Sequence, residues 1–310
     1  MKKILIILTV VTSALLASNI PMANVYGSQG VVFPKGMLKM VLISDTFTKD
    51  KAYNGSDEVI DNKQRKMDMT LVKYKIRYGL GNNFDITVIP TYVSKKLNYI
   101  NPINKKSYNN SNSGLGDTYI FTRYQLTNQK KGDALFSSLG FVVKLPTGDT
   151  SKKFDTPKGL QTTPTLQLGS GSIDYMVELG LTKLLKEKNS RIDFSTLYHY
   201  TTKGDNNYEF GNKLMWNLGY SYAVNKKFDF QIELDGKHFK KDISNGNKVA
   251  NSGGNFLYIT PGFHYKFNKT FNLSFAYAKV IKIDNNYDSI TKTGGLSEDS
   301  RYSFRIVYSF

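Results

Sequence analysis

The chain has 310 residues, 22% of them charged and 40% hydrophobic, with no cysteine and a formal charge of +17. Past its first two dozen residues no stretch approaches the roughly 18 to 20 apolar residues that a membrane helix needs, and the mean hydropathy is -0.37, which excludes an α-helical membrane protein. The missing cysteines exclude disulfides, thiolate metal sites, cysteine nucleophiles and a lipoprotein anchor.

From the N-terminus, Lys2 and Lys3 precede the apolar run Ile4 to Ala17, a charged region followed by a hydrophobic one of signal-peptide length. Cleavage is expected after Ala17 or Ala23, within a window of 17–27, so residues 1–23 are assigned to an export signal and 24–310 to the mature domain. Neither a second domain nor a helical plug is expected between this signal and the first strand.

From about residue 37 the sequence alternates at period two, which in a strand sends successive side chains to opposite faces. Such runs cover 37–47, 66–80, 84–98, 116–126, 134–146, 172–184, 190–202, 214–224, 228–240, 255–267, 271–283 and 302–310. In the last of these Tyr302, Phe304, Ile306, Tyr308 and Phe310 share one face and Ser303, Arg305, Val307 and Ser309 the other. Runs of roughly 9 to 11 tilted residues suffice to cross a hydrocarbon layer.

Short links such as 81–83, 225–227 and 268–270 alternate with long polar ones at 48–65, 99–115, 147–171, 242–254 and 284–299, as periplasmic turns alternate with external loops. Aromatic residues flank the short turns: Tyr78 and Phe84, Tyr222 and Phe228, Tyr265 and Phe271. Rings at such positions suit the headgroup level. Pro90 and Pro261 fall in mid-strand, where a missing N–H breaks a ladder, so a bulge is expected at each. Charge on one face and bulk on the other in most strands predict an all-β protein. It is a transmembrane antiparallel up-and-down β-barrel of about twelve strands, closed because lipid requires every backbone donor to be paired. That reading places the chain in the outer membrane of a Gram-negative bacterium. Outer-membrane lipid and lipopolysaccharide surround it, and the barrel-assembly machinery reads the final strand ending in Phe310.

Three motifs stand in order near the middle of the chain: Gly114-Leu115-Gly116-Asp117, then Leu145-Pro146-Thr147-Gly148-Asp149, then Leu168-Gly169-Ser170-Gly171-Ser172. With their spacing they resemble the outer-membrane transporter family linked to the meta-pathway of phenol degradation. The resemblance implies a barrel channel associated with uptake of small organic compounds. Physically, Gly114 and Gly116 suit unusual backbone at a strand start, and Pro146 with Gly148 suits a strand end that turns the chain outward.

With the bulky face toward lipid, the other face supplies a basic wall of Lys73, Lys75, Arg77, Arg123 and Lys144. An acidic wall of Asp174, Glu178, Asp193, Asp229, Glu233 and Asp235 follows on later strands. Two such walls either set up a transverse field that orients polar solutes or pair as hydrated salt bridges that fill the interior. His199, His238 and His264 lack partners at metal-ligand spacing, and neither a metal nor a cofactor is expected. A membrane-embedded acyl hydrolase is the enzyme alternative, with His238 near Ser244, Asn245 and Gly246 as its thin support. A non-conducting structural barrel is the other. The basic residues are scattered through turns (Lys130, Lys131, Lys152, Lys153, Lys226, Lys227, Lys240, Lys241) without a recognition helix, so nucleic acid is set aside. The expected function is a channel for passive or facilitated uptake of small molecules, aromatic or hydrophobic ones among them, and not an enzyme.

Overall fold

A computed structural model of the chain describes residues 20–310. The expected export signal lies almost wholly outside the described residues. Twelve antiparallel strands form one closed barrel. They are β1 (Leu38–Asn54), β2 (Lys66–Gly81), β3 (Phe84–Ile89 continued by Thr91–Ile100) and β4 (Ser107–Leu115 continued by Thr118–Thr127). Next come β5 (Phe136–Leu145), β6 (Asp174–Leu185), β7 (Ser190–Tyr200) and β8 (Lys213–Ala223). The last are β9 (Phe228–Phe239), β10 (Gly254–Lys266), β11 (Phe271–Asn285) and β12 (Thr293–Ser309). Each pairs with its sequence neighbour, and β1 pairs with β12 from Lys39 opposite Ser309 to Tyr53 opposite Gly295, which closes the wall. The Phe310 amide completes the seam by donating to the Leu38 carbonyl at 2.9 Å.

Burial runs opposite to that of a water-soluble protein. Tyr74, Ile76 and Tyr78 on β2, Leu214, Trp216, Leu218 and Tyr220 on β8, and Tyr302, Phe304 and Tyr308 on β12 are exposed, while Asp45, Asp193, Asp229, Glu233 and Ser303 are fully buried. Period-two alternation therefore turns bulk outward and charge inward all round the wall. An apolar exterior on a sheet without edges is the transmembrane barrel arrangement. Near the short turns the outward rings cluster: Phe84 on Tyr124 at 4.7 Å, Tyr265 on Phe267 at 4.8 Å, Phe267 on Phe271 at 5.1 Å and Tyr308 on Phe310 at 4.7 Å.

The strands run further at the loop end than alternation indicates. β1 continues to Asn54, β4 begins at Ser107 and β12 at Thr293, so the links expected at 48–65, 99–115 and 284–299 are shorter than their sequences suggest. Above the hydrocarbon both faces of a strand meet water. The Asn- and Ser-rich ladder of Ser107–Ser113 is therefore a strand without a hydrophobic signature. A consequence is that Gly114 and Gly116 lie inside β4, not at its start.

At this point β4 carries two residues, Asp117 and Thr118, against the single Pro90 of β3, since Gly116 donates to Thr91 and Tyr119 pairs with Ile89. The bulge absorbs the missing proline N–H and flips the inward set of β4 from even numbers (Asn110, Asn112) to odd ones (Phe121, Arg123). At Pro261 the arrangement differs. The β10–β11 register shift lies between Leu257 and Tyr258, and Thr260 and Pro261 drop out of the ladder with β11.

Candidate functional site in the barrel lumen

Residues 22–33 run through the lumen as an extended arch, held by the wall through backbone groups. Met22 N–H donates to Asp229 (2.8 Å), Val25 N–H to Glu233 (2.8 Å), Ser28 N–H to Ser195 (3.0 Å), Gly30 N–H to Thr182 (2.9 Å) and Phe33 N–H to Asp85 (2.9 Å). In the other direction Arg305 donates to the carbonyls of Asn24 (2.8 Å) and Ala23 (2.9 Å), and Arg77 to that of Val31 (2.6 Å). The arch enters beside the turn end of β9, rises to mid-barrel and descends to the turn end of β2 and β3. A strand without a side-chain periodicity of its own satisfies its backbone here by borrowing the polar inner wall. Glycine makes the fit possible: a Cβ at Gly219 would lie 1.8 Å from the Asn24 amide nitrogen, and one at Gly79 1.9 Å from the Pro34 carbonyl oxygen. No helical plug is expected ahead of the first strand, and this element is not a helix, but it does occupy the lumen.

Most predicted wall residues face inward and are neutralised close by. Lys73 pairs with Asp45 (2.9 Å), Arg77 with Asp85 (2.5 Å), Arg123 with Glu178 (3.2 Å), Arg191 with Asp193 (2.5 Å) and Asp229 with Lys266 (2.6 Å). Glu233 accepts from Asn217 (2.7 Å), Gln231 (2.5 Å) and the arch, and Asp235 accepts from Asn217 (2.7 Å) and Thr260 (2.9 Å). Lys75 faces inward with no ion pair among the described residues. The two walls therefore do not confront each other bare across the lumen; short-range pairing, at about 4 Å or less, outweighs a field that water would screen. Asp45, Asp85, Arg191 and Lys266 complete the pairs, and inward alternation on their strands is the sequence signal that finds them.

The three glycine-rich motifs converge on one carboxylate. Asp117, in the β4 bulge, accepts from Lys144 Nζ, Gly148 N–H, Ser170 N–H and Ser170 Oγ, each at 3.1 Å. Lys144 also reaches Asp174 (2.9 Å) and Ser172 (3.0 Å), and Asp174 continues to His199 at 3.0 Å. Thr147 Oγ1 donates to the Gly116 carbonyl at 2.9 Å, and the Asp149 carbonyl accepts from Leu168 (3.0 Å) and Gly169 (3.2 Å). Gly148 and Gly169 pass so closely that a Cβ on the first would lie 2.6 Å from the nitrogen of the second. Gly171 turns with φ +71 beside Asp205, and Gly114 faces Leu168. The Asp149 carboxyl is held below the ordinary carboxylate range by hydrogen bonds from the Ser151 backbone and hydroxyl. Alone each motif reads as a turn; together they form a latch.

What the latch holds is the long link between β5 and β6. Instead of turning the chain away from the barrel after Pro146, the link folds back over the inner face of β3 and β4. Phe154, Leu166 and Gln167 are buried, Lys95 Nζ donates to the carbonyl of Gln167 (2.6 Å), and Asn112 donates to that of Leu166 (3.0 Å). Inward polar side chains at the loop end of β3 and β4 give the link backbone partners that open water would supply less rigidly. Beneath it, Phe121, Val142 and Met176 form an apolar stripe on the inner wall, flanked by Tyr119 and Leu197. His238 bonds Asn255 at 2.6 Å, whereas Ser244 pairs with Tyr208 in a small external sheet, so the two do not form a nucleophile pair. His264 faces Ser274 at 2.7 Å.

An apolar outer surface, a closed ladder and a charged, partly filled lumen define a membrane-spanning barrel of the outer-membrane type. The chain belongs to the family described as MetA-pathway of phenol degradation, whose model matches residues 68–287. In structure it is similar to the COG4313 outer membrane channel from Pseudomonas putida F1, at TM-score 0.68 and 14% identity, over 93% of this chain and 100% of that one. A lower similarity, TM-score 0.48 at 8% identity, covers 90% of this chain and 89% of the CymD monoaromatic hydrocarbon channel. No curated protein sequence matches the chain.

Proposed function

We propose that the protein is a gated outer-membrane channel for passive or facilitated uptake of small molecules, aromatic or hydrophobic ones among them, and not an enzyme. Family membership supports the channel class. One observation carries the rest: above the arch, inward side chains such as Lys49, Met69, Lys95, Leu197 and Lys237 are enclosed by the wall yet only half-buried. Solvent reaches them, so the loop half of the lumen is a wet chamber and the arch is its floor. A solute entering from outside meets the apolar stripe and then the arch, which must shift for passage. Lipid and lipopolysaccharide contact the apolar exterior, and Phe310 at the seam is the mark for the assembly machinery.

Proteoliposome swelling with graded neutral solutes tests this reading, comparing the wild type with a form lacking residues 24–33 behind an intact signal. Slow influx through the wild type and faster influx through the deletion are expected. No influx of even the smallest solute through either form sinks the channel, and release of nitrophenol from acyl esters by purified protein would restore the hydrolase.

A further inference from the structure

We propose that the wet chamber above the arch is a binding site for a small aromatic carboxylate. The proposal deepens the channel reading by naming a substrate class for the same lumen. Its basis is a set of cations to which the wall gives no carboxylate partner, Lys95 among them being held by the backbone carbonyls of Thr165 and Gln167. Lys49 on β1, Lys95 on β3, Lys213 on β8 and Lys237 on β9 come from separate parts of the wall, face inward and are half-buried. Among the described residues none of the four has a carboxylate within ion-pair distance. On β2, Met67 stands opposite Lys49 and Met69 opposite Lys95, and Lys213 lies diagonally from Lys237 across the β8–β9 ladder, so the four form two inward pairs at the loop end.

The carboxylates nearest them are already committed. Asp117 holds the latch, Asp174 is shared by Lys144, His199 and the Thr202 N–H, and Asp235 accepts from Asn217 and Thr260. Asp242 accepts from Tyr208 (2.5 Å) and Gly211 N–H (2.8 Å), and Glu298 from Arg301 (2.9 Å) and Tyr258 (2.8 Å). Like charges facing one another across a chamber are costly, and a small anion bridging them relieves the repulsion.

The surroundings select an aromatic body for that anion. Lys237 Nζ lies 4.1 Å from the Tyr258 ring centre, and Lys213 Nζ lies 5.8 Å from Phe239 and 5.9 Å from Phe210. Along the register, Met69 stands opposite both Phe47 and Lys95, and Met215 opposite both Leu197 and Lys237. Thioethers beside ammonium groups offer a flat ring a polarisable bed while its carboxylate takes the charge-assisted hydrogen bonds. A neutral ring leaves the lysines unpaired, and a small aliphatic acid leaves the methionines unfilled.

Calorimetric titration of the detergent-purified mature protein with sodium benzoate, benzyl alcohol and sodium acetate decides the matter. Benzoate is expected to bind at least about tenfold more tightly than either control, a difference of about 1.4 kcal/mol. The combined Lys49→Gln, Lys95→Gln, Lys213→Gln and Lys237→Gln variant, its folding verified by heat-modifiable gel migration, is expected to lose that margin. Equal binding of benzoate and benzyl alcohol, or of benzoate and acetate, or no benzoate binding at all, overturns the proposal on the wild type alone, whether or not the variant folds. A folded variant that binds benzoate like the wild type overturns it too. Benzoate binding without solute influx in liposomes would remove the channel and support the site.

Discussion

Lys144 sits between Asp117 and Asp174 with serine hydroxyls around it, nearly inaccessible to solvent. A buried cation in such a cage is stabilising only while the cage is whole. Asp117→Asn keeps the shape but removes one charge and turns the oxygen that accepts from Lys144 and Ser170 into an amide donor, and is expected to cost about 2–3 kcal/mol locally. Amides of 150–170 should then exchange hydrogen faster while those of β8 and β9 do not; unchanged exchange in 150–170 would deny the latch. The residues of this cluster were legible as motifs, and inward alternation disclosed Arg77, Arg123, Glu178 and Glu233 as lumen groups. Their partners were not legible, because pairing depends on which strands lie side by side and on shear, which a single sequence does not display.

Among elements, the strands announced themselves where lipid touches them and fell silent where it does not. The hydrocarbon imposes bulk on every second residue of Leu214–Tyr222, whereas nothing imposes it on Ser107–Ser113. The arch was silent for another reason: its side chains follow no period, and what fixes it are backbone groups, which every residue owns. Its tolerance for change lies in the wall. Gly219→Leu drives bulk into the space of Asn24 and is expected to displace the arch without opening the ladder between β7, β8 and β9. Planar-bilayer conductance should rise while the gel mobility of the folded barrel holds; wild-type conductance in a folded Gly219→Leu protein would mean the arch is no floor. Glu233→Ala, which frees the N–H groups of Val25, Tyr26 and Gly27, should act in the same direction.

For the molecule as a whole, the inversion of burial is the property from which the rest descends, and it was readable from alternation plus the charge on the inner faces. Trp216 and Phe304 lie on the outer surface, the indole of Trp216 covering the bare backbone of Gly236. Spin labels at 216 and 304 in reconstituted protein should report acyl-chain mobility and exclusion of water-soluble relaxation agents; a rigid, protein-buried signal at both would contradict the barrel's orientation. Removing Phe310 takes away the final seam hydrogen bond to Leu38 and the Tyr308–Phe310 ring pair, and a lower yield of heat-modifiable protein in the outer membrane is expected, read against total synthesis.

The arch also constrains time. It precedes β1 in the chain, yet it is gripped by Arg305 of β12 and lies inside a ring that β12 itself closes. Its hydrogen bonds to Arg305 can form only once the last strand has docked, so the grip on the arch is completed together with the closure of the wall. A segment made before every strand of the wall is thereby among the last to be locked. A bulky domain inserted between the signal and the arch should keep the arch from docking, so conductance should exceed that of the wild type even where a disulfide introduced across positions 42 and 306 shows the seam closed; wild-type conductance in that protein would contradict it.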